Sequence, residues 1–143
     1  MKGEDIRVEL ASDPRLLQAV RRLVHGYLGA YGLPADRCDE VVLAVDEACA
    51  NSIRHSYGGR REGTLRLSLR CEGQDIFIVL RDQGKPIPAE FTAARELAPP
   101  DLDTLTPGGL GVGLIYRVFD EVDYRPGKER GNCVTMRLRC AEP

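Results

Sequence analysis

The 143-residue chain contains no tryptophan, only three phenylalanines and only two histidines, His25 and His55. So few histidines argue against a metal centre built on imidazole ligands. Cysteine is present five times, as Cys38, Cys49, Cys71, Cys133 and Cys140. The number is odd and no CxxC pair occurs, so neither a zinc cluster nor a disulfide framework is suggested, and the thiols read as reduced and mostly buried. No apolar run approaches the roughly 20 residues that a membrane-spanning helix needs. The opening MKGEDIRVEL lacks the apolar core of a signal peptide. Together these features predict a cytoplasmic chain with no membrane association. An excess of basic charge is absent as well: 20 Lys and Arg stand against 22 Asp and Glu, for a net charge of −2. That balance argues against direct nucleic-acid binding through a basic face.

What is present is the composition of a soluble globular chain, 43% hydrophobic and 29% charged, of a length that suits one domain spanning 1–143. Alternation over 5–10 predicts a short strand. Asp13 before Pro14 predicts a helix start, and Leu16, Val20, Leu23, Val24, Tyr27 and Leu28 follow at helical spacing up to Gly32. Pro34 opens a second helix that runs to about His55 and stops at Gly58-Gly59. Strands are predicted over 64–70 and 75–80, joined by a turn at Glu72-Gly73-Gln74. The second of these, with its continuous apolar run, should lie centrally in the sheet. Five prolines then crowd into 84–109, and so long an irregular segment inside a compact domain reads as a functional lid. A glycine-rich helix entry at 108–113 and two strands, 121–125 and 133–139, complete the chain. The order β-α-α-β-β-lid-α-β-β predicts an α+β sandwich rather than a doubly wound parallel sheet.

Three stretches carry candidate chemistry. In DEACANSIRHSYGG (46–59), Glu47, Asn51 and His55 fall one helical turn apart, on a face away from the stripe of Val41, Val42, Val45, Ala48, Cys49 and Ile53. An Asn is a poor helix former in mid-helix. Its carbonyl oxygen suits Mg²⁺, which prefers oxygen ligands, and the nearby Glu suits a general base. The same residues also fit a solvated polar face. In RDQGKP (81–86), Asp82 ends an apolar strand and Gly84 follows. A carboxylate there can accept a hydrogen bond from an exocyclic amine, with Gly84 letting the backbone approach a flat ring. An ordinary turn is the plain alternative. In GGLGVG (108–113), glycines open a helix although each costs roughly 1 kcal/mol against Ala. Free backbone N–H groups at such a start suit phosphates, while a hinge or close packing would use the same residues. No GxxxxGK[ST] is present, and the glycine spacing does not fit GxGxxG.

Taken in order, Glu-x-x-x-Asn on a helix, Asp-x-Gly after a strand and a glycine-rich loop into a helix resemble the GHKL ATPase superfamily with its Bergerat ATP-binding fold. Within it, DEACANSIRHSY, RDQGKPI, GGLGVGLIYRVFDEVDY and GNCVTMRLR are similar to the small bacterial anti-sigma factor serine kinases of the RsbW and SpoIIAB type. The resemblance implies a two-layer α/β sandwich. Its mixed, mostly antiparallel sheet would be covered on one face by about three helices, with an ATP lid at about 85–107. It implies Mg²⁺ and ATP or ADP as cofactors. Glu47 would be the catalytic base, and Asn51 the Mg²⁺ ligand beside the nucleotide. Asp82 would be the adenine-binding carboxylate, with Gly84 next to it. Gly109, Leu110, Gly111, Val112 and Gly113 would form the phosphate-cradling loop, and Thr135 would stand near Asp82. The implied partners are a STAS-type anti-anti-sigma protein as phospho-acceptor and a sigma factor, captured by a homodimer.

The sequence departs from the wider superfamily at Pro86, which stands where Asp-x-Gly-x-Gly has its second glycine and stiffens the start of the lid. Two other functions stay open, and this departure favours the first. One is a nucleotide-binding module that sequesters a protein partner without phosphotransfer. The other is a detached catalytic domain that phosphorylates a histidine on another protein. For the partner surface, Arg21 and Arg22 are candidates.

Overall fold

The computed structural model describes residues 3–92, 109–127 and 131–140, without the side chains of 109–111. The segment 93–107 of the expected lid and Gly108 therefore lie outside the described residues. Strand β1 covers Ile6–Ala11, helix α1 Leu17–Ala30 and helix α2 Ala35–Asn51; strands β2 and β3 cover Thr64–Glu72 and Asp75–Asp82. Helix α3, Gly109–Val118, precedes β4, Glu121–Arg125, and β5, Cys133–Arg139. The five strands form one sheet in the order β1-β2-β3-β5-β4, so β3 is central. The anticipated mixed sheet is antiparallel at every described pairing. Its β2–β3 neighbours are joined by the two-residue Gly73-Gln74 turn, which only antiparallel strands can use.

Alternation decides which side of the sheet meets the helices. Leu65, Leu67 and Leu69 of β2, Ile76, Ile78 and Leu80 of β3, and Val134, Met136 and Leu138 of β5 are buried. They pack with Val20, Val24 and Leu28 of α1, Val41, Val45 and Cys49 of α2, and Ile115 of α3. The intervening residues point to the other, open face.

Helix α1 is entered through a 3₁₀ turn, Pro14–Leu16, where the Asp13 carboxylate accepts a hydrogen bond from the Arg15 N–H at 3.0 Å. The expected cap is present, but it caps this turn rather than α1 itself. The second predicted helix likewise reaches its expected end through two kinds of winding. After Asn51 the chain widens into one π-helical turn, Ser52–Ser56, closed by a Tyr57 N–H to Ser52 carbonyl bond of 3.2 Å. Such turns add a residue to the helical register and often mark functional sites. Here the widening puts both Ser52 and Ser56 on the end of β3.

Candidate nucleotide site

Asp82 is the last residue of β3 and points to the helix side, 5% exposed. Its carboxylate is a hub. Oδ2 accepts from the Ser52 hydroxyl at 2.5 Å. Oδ1 accepts from the Ser56 hydroxyl at 2.6 Å, the Gly84 N–H at 3.0 Å, and Asn132 through both its Nδ2 (2.9 Å) and its backbone N–H (3.2 Å). A buried carboxylate needs such donors, because an unpaired one pays a heavy desolvation cost. The donors come from the π turn, the root of the lid and the β4–β5 loop, so Asp82 joins three parts of the chain.

Two glycines make that convergence sterically feasible. At Gly84 a Cβ would stand 2.7 Å from the Ser56 carbonyl carbon and closer still to its Oγ and O. The space a side chain would fill is thus taken by the π turn, and the Lys85 N–H bonds the same Ser56 carbonyl at 2.8 Å. Gly84 is a packing requirement of the protein as well as a candidate neighbour of a ligand. Gly131 has φ +83 and a Cβ there would lie 2.6 Å from the Asp82 carbonyl carbon, which restricts this position to glycine on two counts.

Asn51, the last residue of α2, is 2% exposed. A solvated polar face is thereby ruled out at this position. Its Nδ2 donates to the Phe91 carbonyl at 3.1 Å and to the Tyr124 hydroxyl at 3.3 Å. Its Oδ1 is buried with no hydrogen-bond partner among the described residues. A buried amide oxygen left unpaired costs about 1–3 kcal/mol, and a hard cation is the kind of partner that would repay it. The residue therefore fits a Mg²⁺ ligand on its chemistry. Glu47, one turn earlier on α2, is half-exposed, with its carboxylate 3.8 Å from the Arg54 guanidinium. A pair so open to solvent contributes little stability and leaves the carboxylate available.

Phe91 sits in a 3₁₀ turn, Ala89–Phe91, at the far end of the described lid root. Its ring stacks on the His55 imidazole, with centroids 3.7 Å apart. Burial lowers the His55 pKa, and its Nε2 is buried without a partner among the described residues. The Thr92 carbonyl accepts from the Tyr116 hydroxyl of α3 at 2.7 Å, so α3 grips the lid root. Gly109, Leu110, Gly111, Val112 and Gly113 form the first turn and a half of α3 instead of a loop ahead of it. Their early N–H groups are those that lack acceptors within a helix.

Thr135 departs from the expected arrangement. Its register partners are Val79 and Asp123, and it lies between buried Val134 and Met136. Alternation sends it to the open face, where it lines a groove with Phe77, Arg81, Asp123 and Arg137. Asn132, three residues earlier, meets Asp82 instead. Ser52, Ser56, Asn132, Phe91 and Tyr124 are thus site residues that motif reasoning passed over. The one available signal was the polar run Asn51-Ser52 at a helix end.

Comparison with known proteins places the chain among relatives. Residues 10–138 match the family described as histidine kinase-like ATPase domain. The chain is 30% identical to the serine-protein kinase RsbW of Staphylococcus epidermidis over 136 residues, covering 92% of this chain and 84% of that protein. It is 31% identical to the RsbW of Halalkalibacterium halodurans over 127 residues, covering 85% and 76%. It is 26% identical to the anti-sigma F factor of Clostridium novyi over 141 residues, covering 97% and 96%. Among solved structures, a Mycobacterium tuberculosis protein with RsbU and RsbW domains superposes with a TM-score of 0.66 at 15% identity, covering 96% of this chain and 32% of that one. The Acinetobacter baumannii histidine kinase AdeS gives 0.52 at 14% identity, covering 94% and 68%. These structural likenesses bear on the fold, which they share with this chain.

Proposed function

Because the chain belongs to the histidine kinase-like ATPase family, we propose that it is an ATP-dependent serine/threonine protein kinase and anti-sigma factor. Its substrate is the hydroxyl of an anti-anti-sigma partner of the STAS type. The observation that carries this reading is the juxtaposition at the end of α2: a buried Asn51 Oδ1, unpaired among the described residues, one turn from the half-exposed Glu47 carboxylate. Relatives named serine-protein kinase and anti-sigma F factor support it.

In this reading Asp82 Oδ2 accepts a hydrogen bond from the 6-amino group of adenine. The glycine-opened start of α3 turns its free N–H groups toward the phosphates. Asn51 Oδ1 is the atom that would hold Mg²⁺. When bound, the metal offsets charge on the transferring phosphoryl group. Glu47 takes the proton of the acceptor hydroxyl as that oxygen bonds the γ-phosphorus, and the bond to the bridging oxygen of ADP breaks. Positioning and electrostatics supply most of the rate. The domain, 1–143, acts in the cytoplasm as a homodimer that captures a sigma factor. An exposed apolar groove of about 170 Å³ between β1 and α1, lined by Val8, Leu10, Leu16, Ala19, Val20 and Leu23, is a suitable surface for assembly.

The test is phosphotransfer from labelled ATP to a STAS partner, with wild type and Glu47→Gln. The expected result is an acid-stable phosphoester made by wild type and lost in the variant, with ATP affinity within about threefold of wild type. Transfer by the variant at the wild-type rate removes the base assignment. An acid-labile product points to a phosphohistidine. No transfer by wild type, with sigma-factor capture intact, leaves the sequestering module.

A further inference from the structure

We infer that Asn132 and Ser56 are positioning residues that leave one defined oxygen of Asp82, Oδ2, to read the base of the nucleotide. The inference rests on the nucleotide reading above. A carboxylate oxygen has about two lone-pair directions. Among the described residues, four donors converge on Oδ1, from Ser56, Gly84 and Asn132, whereas Oδ2 receives only the Ser52 hydroxyl. Oδ1 is saturated and Oδ2 has capacity for one more donor.

The donors are themselves locked. Asn132 is 5% exposed. Its Oδ1 accepts from the Ile87 N–H at 3.0 Å, so the amide can point only its Nδ2 toward Asp82. That same Nδ2 also reaches the Ser56 hydroxyl at 3.1 Å and the Lys85 carbonyl at 2.8 Å. The Ser56 hydroxyl, 2.6 Å from a carboxylate that can only accept, directs its hydrogen at Asp82 Oδ1. The carboxylate cannot rotate without breaking several of these bonds at once. It therefore meets a base as a fixed acceptor, which favours an amino group at purine position 6 and opposes a carbonyl there. A site built to hydrogen-bond one group discriminates strongly against an analogue that lacks it.

The experiment is calorimetric titration of the 143-residue wild type, Asn132→Ala and Ser56→Ala with ATP and with inosine triphosphate, which differ in the group at position 6. Wild type should favour ATP by about tenfold or more, the range of a hydrogen bond to a charged group. Each variant should bring the two affinities within about threefold of one another, a ratio that a general loss of stability would not change. If Asn132→Ala loses its folded circular dichroism, Ser56→Ala decides alone. A wild-type preference that survives in the variants overturns the positioning role and leaves the nucleotide reading in place. Equal wild-type affinities overturn both the positioning role and the base-reading role of Asp82. No binding of either nucleotide overturns the nucleotide reading and this inference with it.

Discussion

Replacing Gly84 by Ala should destabilise the protein by an amount that follows from its contacts. The new Cβ would stand 2.7 Å from the Ser56 carbonyl carbon, where ordinary contact begins at 3.4 Å. The carbonyl oxygen is nearer still, so the π turn must retreat by about an ångström. Overpacking of this kind costs about 1–3 kcal/mol. The retreat also strains the Lys85 N–H bond to the Ser56 carbonyl and the Ser56 bond to Asp82, each worth about 1 kcal/mol. The total is roughly 2–5 kcal/mol. For a chain of this length 1 kcal/mol moves Tm by about 3 °C, so Tm should fall by roughly 6–15 °C. Thermal melts followed by circular dichroism read this directly. Gly26→Ala is the matched control. Gly26 lies in the interior of α1 with nothing within 4 Å of an added Cβ, and its replacement should stabilise by up to about 1 kcal/mol. A Gly84→Ala protein that melts with wild type would refute the argument that this glycine exists to admit the π turn.

Alkaline pH should unfold the protein through groups that burial keeps neutral. Burial pushes the Tyr124 hydroxyl and the Cys49 thiol each up to about 12, and burial with the neighbouring Asp5 raises Tyr27. Their folded pKa values exceed the unfolded ones, so their contribution is complete below about pH 8.5 and is lost as pH rises toward 12. The urea midpoint should fall steadily over that window, and a midpoint flat from pH 9 to 12 contradicts the burial argument. The same burial should leave Cys38 and Cys49 unreactive toward Ellman's reagent at pH 8, while half-buried Cys133 and Cys140 react first. Equal rates for all five thiols would mean that the core opens freely.

Much of this was legible in the sequence because the signals are local. Period-2 alternation located β1 and β2, and helical spacing located α1 and α2, since one side of each element meets the same core. The apolar run of Ile76–Leu80 correctly indicated the central strand. The less legible features depend on distant partners. Asn51 is buried by Phe91 and Tyr124, which are 40 and 73 residues away, so a helical wheel of α2 alone leaves it facing solvent. The π turn is a change of hydrogen-bond register that hydrophobic spacing does not report. Asn132 meets Asp82 across 50 residues, its carbonyl accepting from the Asp82 N–H and its backbone N–H and Nδ2 donating to the carboxylate. Thr135 illustrates how position within a motif can mislead. Strand parity fixes which face it occupies, and a residue at an odd offset from buried Val134 cannot share the Asp82 side.

The central claim, that the end of α2 and the end of β3 together hold Mg-ATP, is tested most directly by calorimetric titration of ATP into the purified protein. The titration is run with Mg²⁺ and with EDTA, for wild type, Asn51→Ala and Asp82→Ala. The account requires binding by wild type that weakens in EDTA, binding by Asn51→Ala that no longer responds to the metal, and no binding by Asp82→Ala. Wild type that gives no heat and fails to compete with a fluorescent ATP analogue contradicts it, as does an Asp82→Ala protein that binds ATP as tightly as wild type.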